Sequence, residues 1–420
     1  MAHYLVLGAG ITGITTAYSL LRRGHQVTVI ERNRYAAMET SFANGGQLSA
    51  SNAEVWTRWA TIFKGLKWMF APGAPLLVNP RPSWHKYSWM AEFMAAIPKY
   101  EQNTVDTVRL ALKAREVLED HARREGFAFD CEHRGILHVY RDERDLRAAR
   151  KVSKLLAKGG LHREEITASE ARSIEPALTG PLCGAIYTKD DFTGDVHRYT
   201  MGLAQACARR GATLRFSTTL KAIAPKAGGV EARWTDAQGQ TCAQFDGVVV
   251  CAGVHSRDIA RQLGDRVNVY PLKGYSITVN LDDAASQAAA PCVSLLDDQA
   301  KIVTSRLGDN RLRIAGTAEF NGYNRDIRAD RIAPLTQWCA DLFPQVSTEH
   351  VVPWAGLRPM MPNMMPKVGP GRAPGVFYNT GHGHLGWTLG AATAELVGDM
   401  VDAAQPTQPI AQGAMAALAV

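Results

Sequence analysis

Three glycines at fixed spacing, with one carboxylate behind them, are the first residues in this chain whose types imply chemistry. They stand in Gly8-Ala9-Gly10-Ile11-Thr12-Gly13, and Glu31 follows eighteen residues after Gly13. Glycine at these positions permits a tight turn at Gly8, backbone approach to a pyrophosphate at Gly10, and close helix packing at Gly13. The free N–H groups and partial positive charge of the helix start then face the phosphates. A carboxylate at Glu31 accepts hydrogen bonds from a ribose 2′-hydroxyl and repels a 2′-phosphate. The elements that must hold these groups are present in order. Residues 4–7 read as an apolar strand, 14–23 as a helix with Ala17, Leu20 and Leu21 on its apolar side, Gly24 as its stop, and 26–30 as a second strand.

This unit binds a dinucleotide but does not separate NAD from FAD. Two further segments favour FAD. Directly after Glu31 and Arg32, "METSFANGGQLS" (38–49) gathers Thr40, Ser41, Asn44, Gly45, Gly46, Gln47 and Leu48 into a loop. Its small side chains and free N–H groups suit a ribityl chain or flavin edge. Near the other end, "NTGHGHLGWT" (379–388) sets Gly381, His382, Gly383, His384, Leu385 and Gly386 between a strand and a long helix. That is a second helix amino terminus with exposed donors. A dinucleotide held by both ends of the chain suits FAD. The pair His382 and His384 lacks a partner at ligand spacing, so no metal site is assigned.

Together with "LKWMF" (66–70), "KGYSIT" (273–278) and "GLRPM" (356–360), these segments resemble the family of flavin-dependent amino acid oxidoreductases that includes D-amino acid dehydrogenase, glycine oxidase and sarcosine oxidase. The likeness to the dehydrogenase is the strongest. It implies FAD, an amino acid substrate, and a quinone or other electron acceptor; with no cysteine between Trp354 and Trp387, the FAD is expected to be non-covalent. It also places Leu220 near the adenine and makes Tyr275 a hydrogen-bond donor to the substrate carboxylate. A carboxylate is best held by an arginine fork, and Arg358 in "GLRPM" is the candidate. Hydride transfer to flavin N5 needs only a neutral amine, so no catalytic base is assigned; His85, His197 and His384 read as packing or solvated residues. Two stretches depart from the dehydrogenase pattern. Ala50-Ser51-Asn52 replaces Pro-Gly-Tyr, and Met361-Pro362-Asn363-Met364-Met365 replaces a polar Asp-Gly. The leading expectation is oxidative deamination of D-amino acids. The alternatives are oxidation of glycine, sarcosine or a cyclic imino acid, and, from another class, a flavin-bearing subunit inactive alone.

The expected fold is α/β: a discontinuous Rossmann-type FAD-binding domain (1–60, 150–265 and 350–420) and an α+β substrate domain on an antiparallel sheet (61–149 and 266–349). Residues 198–223 read as the next helix and strand of the doubly wound sheet. The apolar run 248–251 ends in Ala252-Gly253, another strand end facing the cofactor. "YSITVNL", "KIVTSRL" and "RLRIAGTAEF" alternate as antiparallel strands do, the last two joined by Gly308-Asp309-Asn310.

Composition narrows the partners. The 420 residues carry a formal charge of +7, but bases and acids interleave, so nucleic acid is not expected. Seven scattered cysteines without a C-x-x-C pair, and an opening unlike a secretory signal, fit a reducing cytosol. Residues 55–100 hold five of nine tryptophans and six Lys or Arg against the single acid Glu92. That insert fits a peripheral helix on the cytoplasmic face of the inner membrane, and it equally fits aromatics packed over the substrate pocket with the bases in solvent.

Overall fold

The side chains of Tyr4, Leu5, Val6 and Leu7 are apolar on both faces, as a central parallel strand requires. The computed structural model describes residues 1–68 and 75–404. It places this run as β1 (His3–Leu7), inside a six-stranded sheet. On one side β1 pairs in parallel with β2 (Gln26–Ile30) and, beyond it, Thr213–Arg215. On the other side come Gly247–Val250 and Val376–Thr380, also parallel, with Lys367–Pro370 antiparallel at the edge. The helix α1 (Ile11–Arg22) packs against Val196–Arg209 and Gly386–Ala404. Ile14, Tyr18, Leu20, Tyr199, Leu203 and Val397 form the core there. The opposite face of the sheet is covered by the antiparallel meander Thr219–Lys226, Gly229–Asp236 and Gly239–Phe245, which packs Ile223, Val230 and Trp234 on Leu5, Val248 and Tyr378.

A nine-stranded, mostly antiparallel sheet stands against this layer. Its longest strand, Tyr270–Asn280, pairs with Val351–Met360 on one side and Arg311–Phe320 on the other. Ile302–Arg306 joins Arg311–Phe320 through the expected turn. The helix Ala329–Leu342 closes the outer face with Leu335, Trp338 and Leu342.

The sheets cut across the division drawn from sequence. Glu164–Ile166 and Gly184–Thr188 were expected in the nucleotide half, as was Val351–Met360, yet all three pair within the nine-stranded sheet. Conversely Tyr100–Glu125, expected on the substrate side, sends Leu118 and Ala122 into the core around α1. Periodicity identifies an element but not its partner. Residues 69 and 70 of "LKWMF" and 405–420 of the tail lie outside the described residues.

Candidate active site

The glycine turn follows β1, and its geometry explains each glycine. Gly8 has φ +102°, and a Cβ there would stand 2.7 Å from the Cys251 carbonyl oxygen. A Cβ on Gly13 would lie 1.9 Å from the Gly8 carbonyl oxygen, so the helix could not sit where it does. Around Gly10 the nearest atom to such a Cβ is Ser41 Oγ at 3.4 Å, and the residue lines an open cavity. The first two glycines named are therefore fixed by the protein's own packing, whereas Gly10 leaves space for something else. Ser41 Oγ accepts from the Ile11 amide at 3.1 Å and ties the second loop to the start of α1.

Glu31 ends β2 at the cavity wall. Its Oε2 accepts from the Ala9 amide at 2.9 Å, and its Oε1 accepts from the Asn33 amide and side chain at 2.9 and 2.7 Å. These bonds fix the carboxylate while leaving lone pairs for a ribose. Arg32 donates to Glu39 at 2.5 Å, and Glu39 also pairs with Arg325. Leu220, Ala252, Gly253, Gly381, His382, Gly383, Leu385 and Gly386 reach the same cavity from three other elements, as do Ile11 and Thr12 from α1.

That cavity encloses about 1230 Å³ between the two sheets. Ligand sites usually measure about 300–1,000 Å³, so there is room for a dinucleotide and a small substrate. Two helix amino termini open into it, Gly10 to Thr12 and Gly386 to Thr388. The glycine cradle, the ribose-side carboxylate and this volume fit FAD.

Over the far part of the cavity stands Arg358. One N–H of its guanidinium donates to the Thr317 carbonyl at 3.0 Å, and no carboxylate among the described residues pairs with it. Burial lowers its pKa to about 10, so it remains a cation at neutral pH. Gly274, on the neighbouring strand, makes room for it: a Cβ there would lie 2.4 Å from the guanidinium. Beside Arg358, His384 stacks on Trp56 with ring centroids 4.4 Å apart. Its pKa falls to about 3, by burial first and by the Arg358 charge second. Its ring is therefore neutral and adds no second charge.

Tyr275 lines the cavity, but its hydroxyl is committed elsewhere. It donates to Glu319 Oε2 at 2.7 Å, and Glu319 also pairs with the fully buried Lys273 at 3.1 Å. A hydroxyl has one proton, so the donation to a substrate carboxylate expected from sequence requires leaving Glu319. Gln47 is likewise turned partly away, its amide donating to Ser294 Oγ and the Leu295 carbonyl. Asn44 caps the Gly46 amide at 2.9 Å, and Gly45 lies over Val303. Ala9, Gly13 and Leu48 are packed behind the cavity surface and do not line it.

Sequence reasoning missed several wall residues. Trp56, Thr218, Thr219, Phe320 and Met360 all line the cavity. Trp56 belonged to the aromatic insert and Met360 to "GLRPM", so both could have been found there; Thr218, Thr219 and Phe320 carry no spacing signal. His85 bonds the Val269 carbonyl, and His197 packs between Tyr35 and Phe42. Among the described cysteines only Cys251 reaches the cavity, with its thiol turned to Thr16.

A doubly wound sheet with a glycine turn, roofed by an antiparallel sheet over one large chamber, defines a dinucleotide-dependent oxidoreductase. Comparison with known proteins narrows this. The profile of the family described as FAD dependent oxidoreductase matches residues 3–400, and the chain belongs to that family. A "D-amino acid dehydrogenase 3" from Mesorhizobium japonicum is 59% identical over 401 residues, covering 96% of this chain and 97% of the relative. A D-amino acid dehydrogenase from Paramagnetospirillum magneticum is 39% identical, covering 94% of each chain. Among solved structures, glycine oxidase from Geobacillus kaustophilus superposes with a TM-score of 0.74 at 21% identity, covering 98% of each chain. L-proline dehydrogenase from P. horikoshii gives 0.73 at 16%, covering 97% of this chain and 95% of that one. FAD is the cofactor of this fold.

Proposed function

We propose that the chain oxidises free D-amino acids, with the substrate carboxylate held by Arg358. The observation that carries this is a half-buried guanidinium with no carboxylate partner among the described residues, facing a chamber walled largely by apolar surface, in a protein so similar to D-amino acid dehydrogenases. Bound FAD supplies a hydride acceptor at flavin N5. The protein's part is to hold and shield. Arg358 fixes the carboxylate by charge-assisted hydrogen bonds, which sets the Cα–H bond toward the cofactor side of the chamber. Trp56, Met360 and Phe320 surround the substrate with apolar surface and exclude bulk water. The amino acid loses a hydride from Cα and a proton from nitrogen. Water then hydrolyses the imine to a 2-oxo acid and ammonia. Anaerobic addition of D-alanine to the purified protein bleaches the flavin absorbance, and L-alanine does not. Bleaching only by sarcosine, glycine or proline would replace this reading by the corresponding alternative.

A specific observation also favours contact with a lipid surface. The tryptophans of the insert divide: Trp89 is buried and donates to the Met360 carbonyl, and Trp56 walls the chamber, whereas Trp59 and Trp84 are 56% and 81% exposed. Phe63 and Tyr87 lie exposed in the same two helices, with Lys64 and Lys67 beside Phe63. Aromatic side chains flanked by lysine suit an anionic interface, where a quinone acceptor would be met. No helix among the described residues is long and apolar enough to cross a membrane. Flotation with anionic vesicles, lost in Trp59→Ser/Trp84→Ser, tests the surface; flotation unchanged in that double variant would reject it.

A further inference from the structure

Away from the chamber, three donor atoms of different chemistry meet at the protein surface. Glu119 lies near the end of the helix Tyr100–Glu125, and Cys131 and His133 lie in the segment that follows it. Glu132, between them, bridges to Thr193 in antiparallel fashion. Extended backbone places alternate residues on one side, so the thiol and the imidazole emerge together, opposite the helix. His133 Nε2 stands 3.3 Å from Glu119 Oε1 and 3.5 Å from Cys131 Sγ. All three donor atoms lie within 4.8 Å of one another.

These separations have a physical meaning. With Zn–S about 2.3 Å, Zn–N and Zn–O about 2.0–2.2 Å and tetrahedral angles, donor atoms around one zinc ion sit about 3.4–3.6 Å apart. Both observed separations lie within about 0.1 Å of that range. We propose that Glu119, Cys131 and His133 form a binding site for a borderline-soft divalent cation of the zinc class, with its fourth position open to water. Thiolate and imidazole donors disfavour magnesium and calcium, which prefer all-oxygen shells. Cys131 enters as thiolate, and its proton passes to solvent. The surroundings support the geometry. The His133 ring lies against Phe192 with centroids 4.8 Å apart, and Arg134 pairs with Glu132 at 3.1 Å.

None of the three residues lines the chamber, so the ion is not part of the oxidation. It would clamp the last turns of the helix to the Glu132–Thr193 bridge, and Thr193 in turn pairs with Gln47 in the loop beneath the cofactor. The sequence shows only a Cys-x-His here, because the third ligand stands twelve residues upstream across a helix end.

The test uses metal-free, flavin-loaded protein titrated with Co(II), followed by difference absorbance, and then Zn(II) in competition with a chromophoric chelator. One equivalent of Co(II) gives a saturating thiolate-to-cobalt band that Zn(II) erases. Cys131→Ser abolishes the band, and His133→Ala weakens Zn(II) binding at least tenfold. Cys242→Ser, which removes an exposed thiol on Gly239–Phe245, changes neither. Unchanged flavin spectra and Tm show that the variants remain folded. No band in the parent protein, a band surviving Cys131→Ser, or a band lost in Cys242→Ser would overturn the site.

Discussion

The two walls of the chamber are built on opposite principles. The phosphate-binding part of the cofactor wall is local: β1, the glycine turn, α1 and β2 occupy residues 3–30, and Glu31 follows at once, while Leu220, Ala252 and residues 381–386 complete that wall from elsewhere. The substrate wall is assembled across the chain, with Arg358 on one strand, Gly274 beside it on a second, Thr317 on a third and Trp56 far upstream. The first wall is sterically tight at Gly8 and Gly13, each of which packs on a backbone carbonyl. The second depends on single side chains held in unusual electrostatic states. Damage to the first should therefore cost the cofactor or the fold, and damage to the second should cost turnover alone.

The sharpest way to break this contrast is at the glycines. In Gly13→Ala the new Cβ meets a backbone oxygen at 1.9 Å, which no side-chain rotation relieves. Overpacking of this kind costs about 3 kcal/mol or more, and the expected outcome is little soluble protein and no bound flavin. Gly10→Ala meets only Ser41 Oγ at 3.4 Å. It should fold with a near-parental Tm and lose flavin affinity, since its methyl enters the space meant for the pyrophosphate. Equal loss of fold in both variants would show that Gly10 serves packing as well.

On the opposite wall, Arg358→Ala removes the charge assigned to the substrate carboxylate. Losing a buried charge-assisted pair costs roughly 3–4 kcal/mol, so kcat/KM should fall by roughly 10²–10³-fold while flavin content stays parental. Arg358→Lys should recover only part, because an ammonium cannot form the planar fork. Steady-state kinetics against D-alanine, with flavin content measured alongside, decide the matter. Loss of flavin in Arg358→Ala would assign the residue to the cofactor.

The same division governs what the sequence alone made visible. The strand, glycine turn, helix and second strand before Glu31 were legible in sequence, because they come consecutively and each has a steric or electrostatic signature. Arg358 was legible from its motif, but not the reason for its freedom, which is that no carboxylate among the described residues pairs with it after folding. Tyr275 was legible as a wall residue, but not that its hydroxyl donates to Glu319, forty-four residues away. Domain limits failed for the related reason that Gly184–Thr188 and Val351–Met360 read as strands without stating which sheet they join.

Acid should strain both walls. His382 and His384 in the cofactor loop and His138 on the substrate sheet each have a pKa of about 3, lowered chiefly by burial. In the unfolded chain they titrate near 6.5. Between about pH 6.5 and 3 the unfolded state binds more protons, so stability declines as pH falls through that window and is constant above it with respect to these groups. Near pH 4 the three together contribute a loss of at most about 10 kcal/mol. Chemical denaturation at pH 7.5 and 4.5 measures it. His138→Gln should flatten the slope, and an unaltered slope would mean that other groups drive the acid response.

The smallest expected effect is also the most discriminating. Tyr275→Phe deletes a hydroxyl that donates to Glu319 and leaves that carboxylate with Lys273 and Asn321 as partners. A hydrogen bond to a charged group contributes about 1.5–3 kcal/mol, and the surviving partners offset part of it. A stability loss of about 1–2 kcal/mol is therefore expected, with KM for D-alanine changed less than about threefold, a shift under 1 kcal/mol. If KM rises more than tenfold with Tm unmoved, the hydroxyl must leave Glu319 when substrate binds, and the substrate wall reorganises on loading. If Tm falls with KM unmoved, Tyr275 is a packed strut beneath the chamber, and the carboxylate is held by Arg358 without its help.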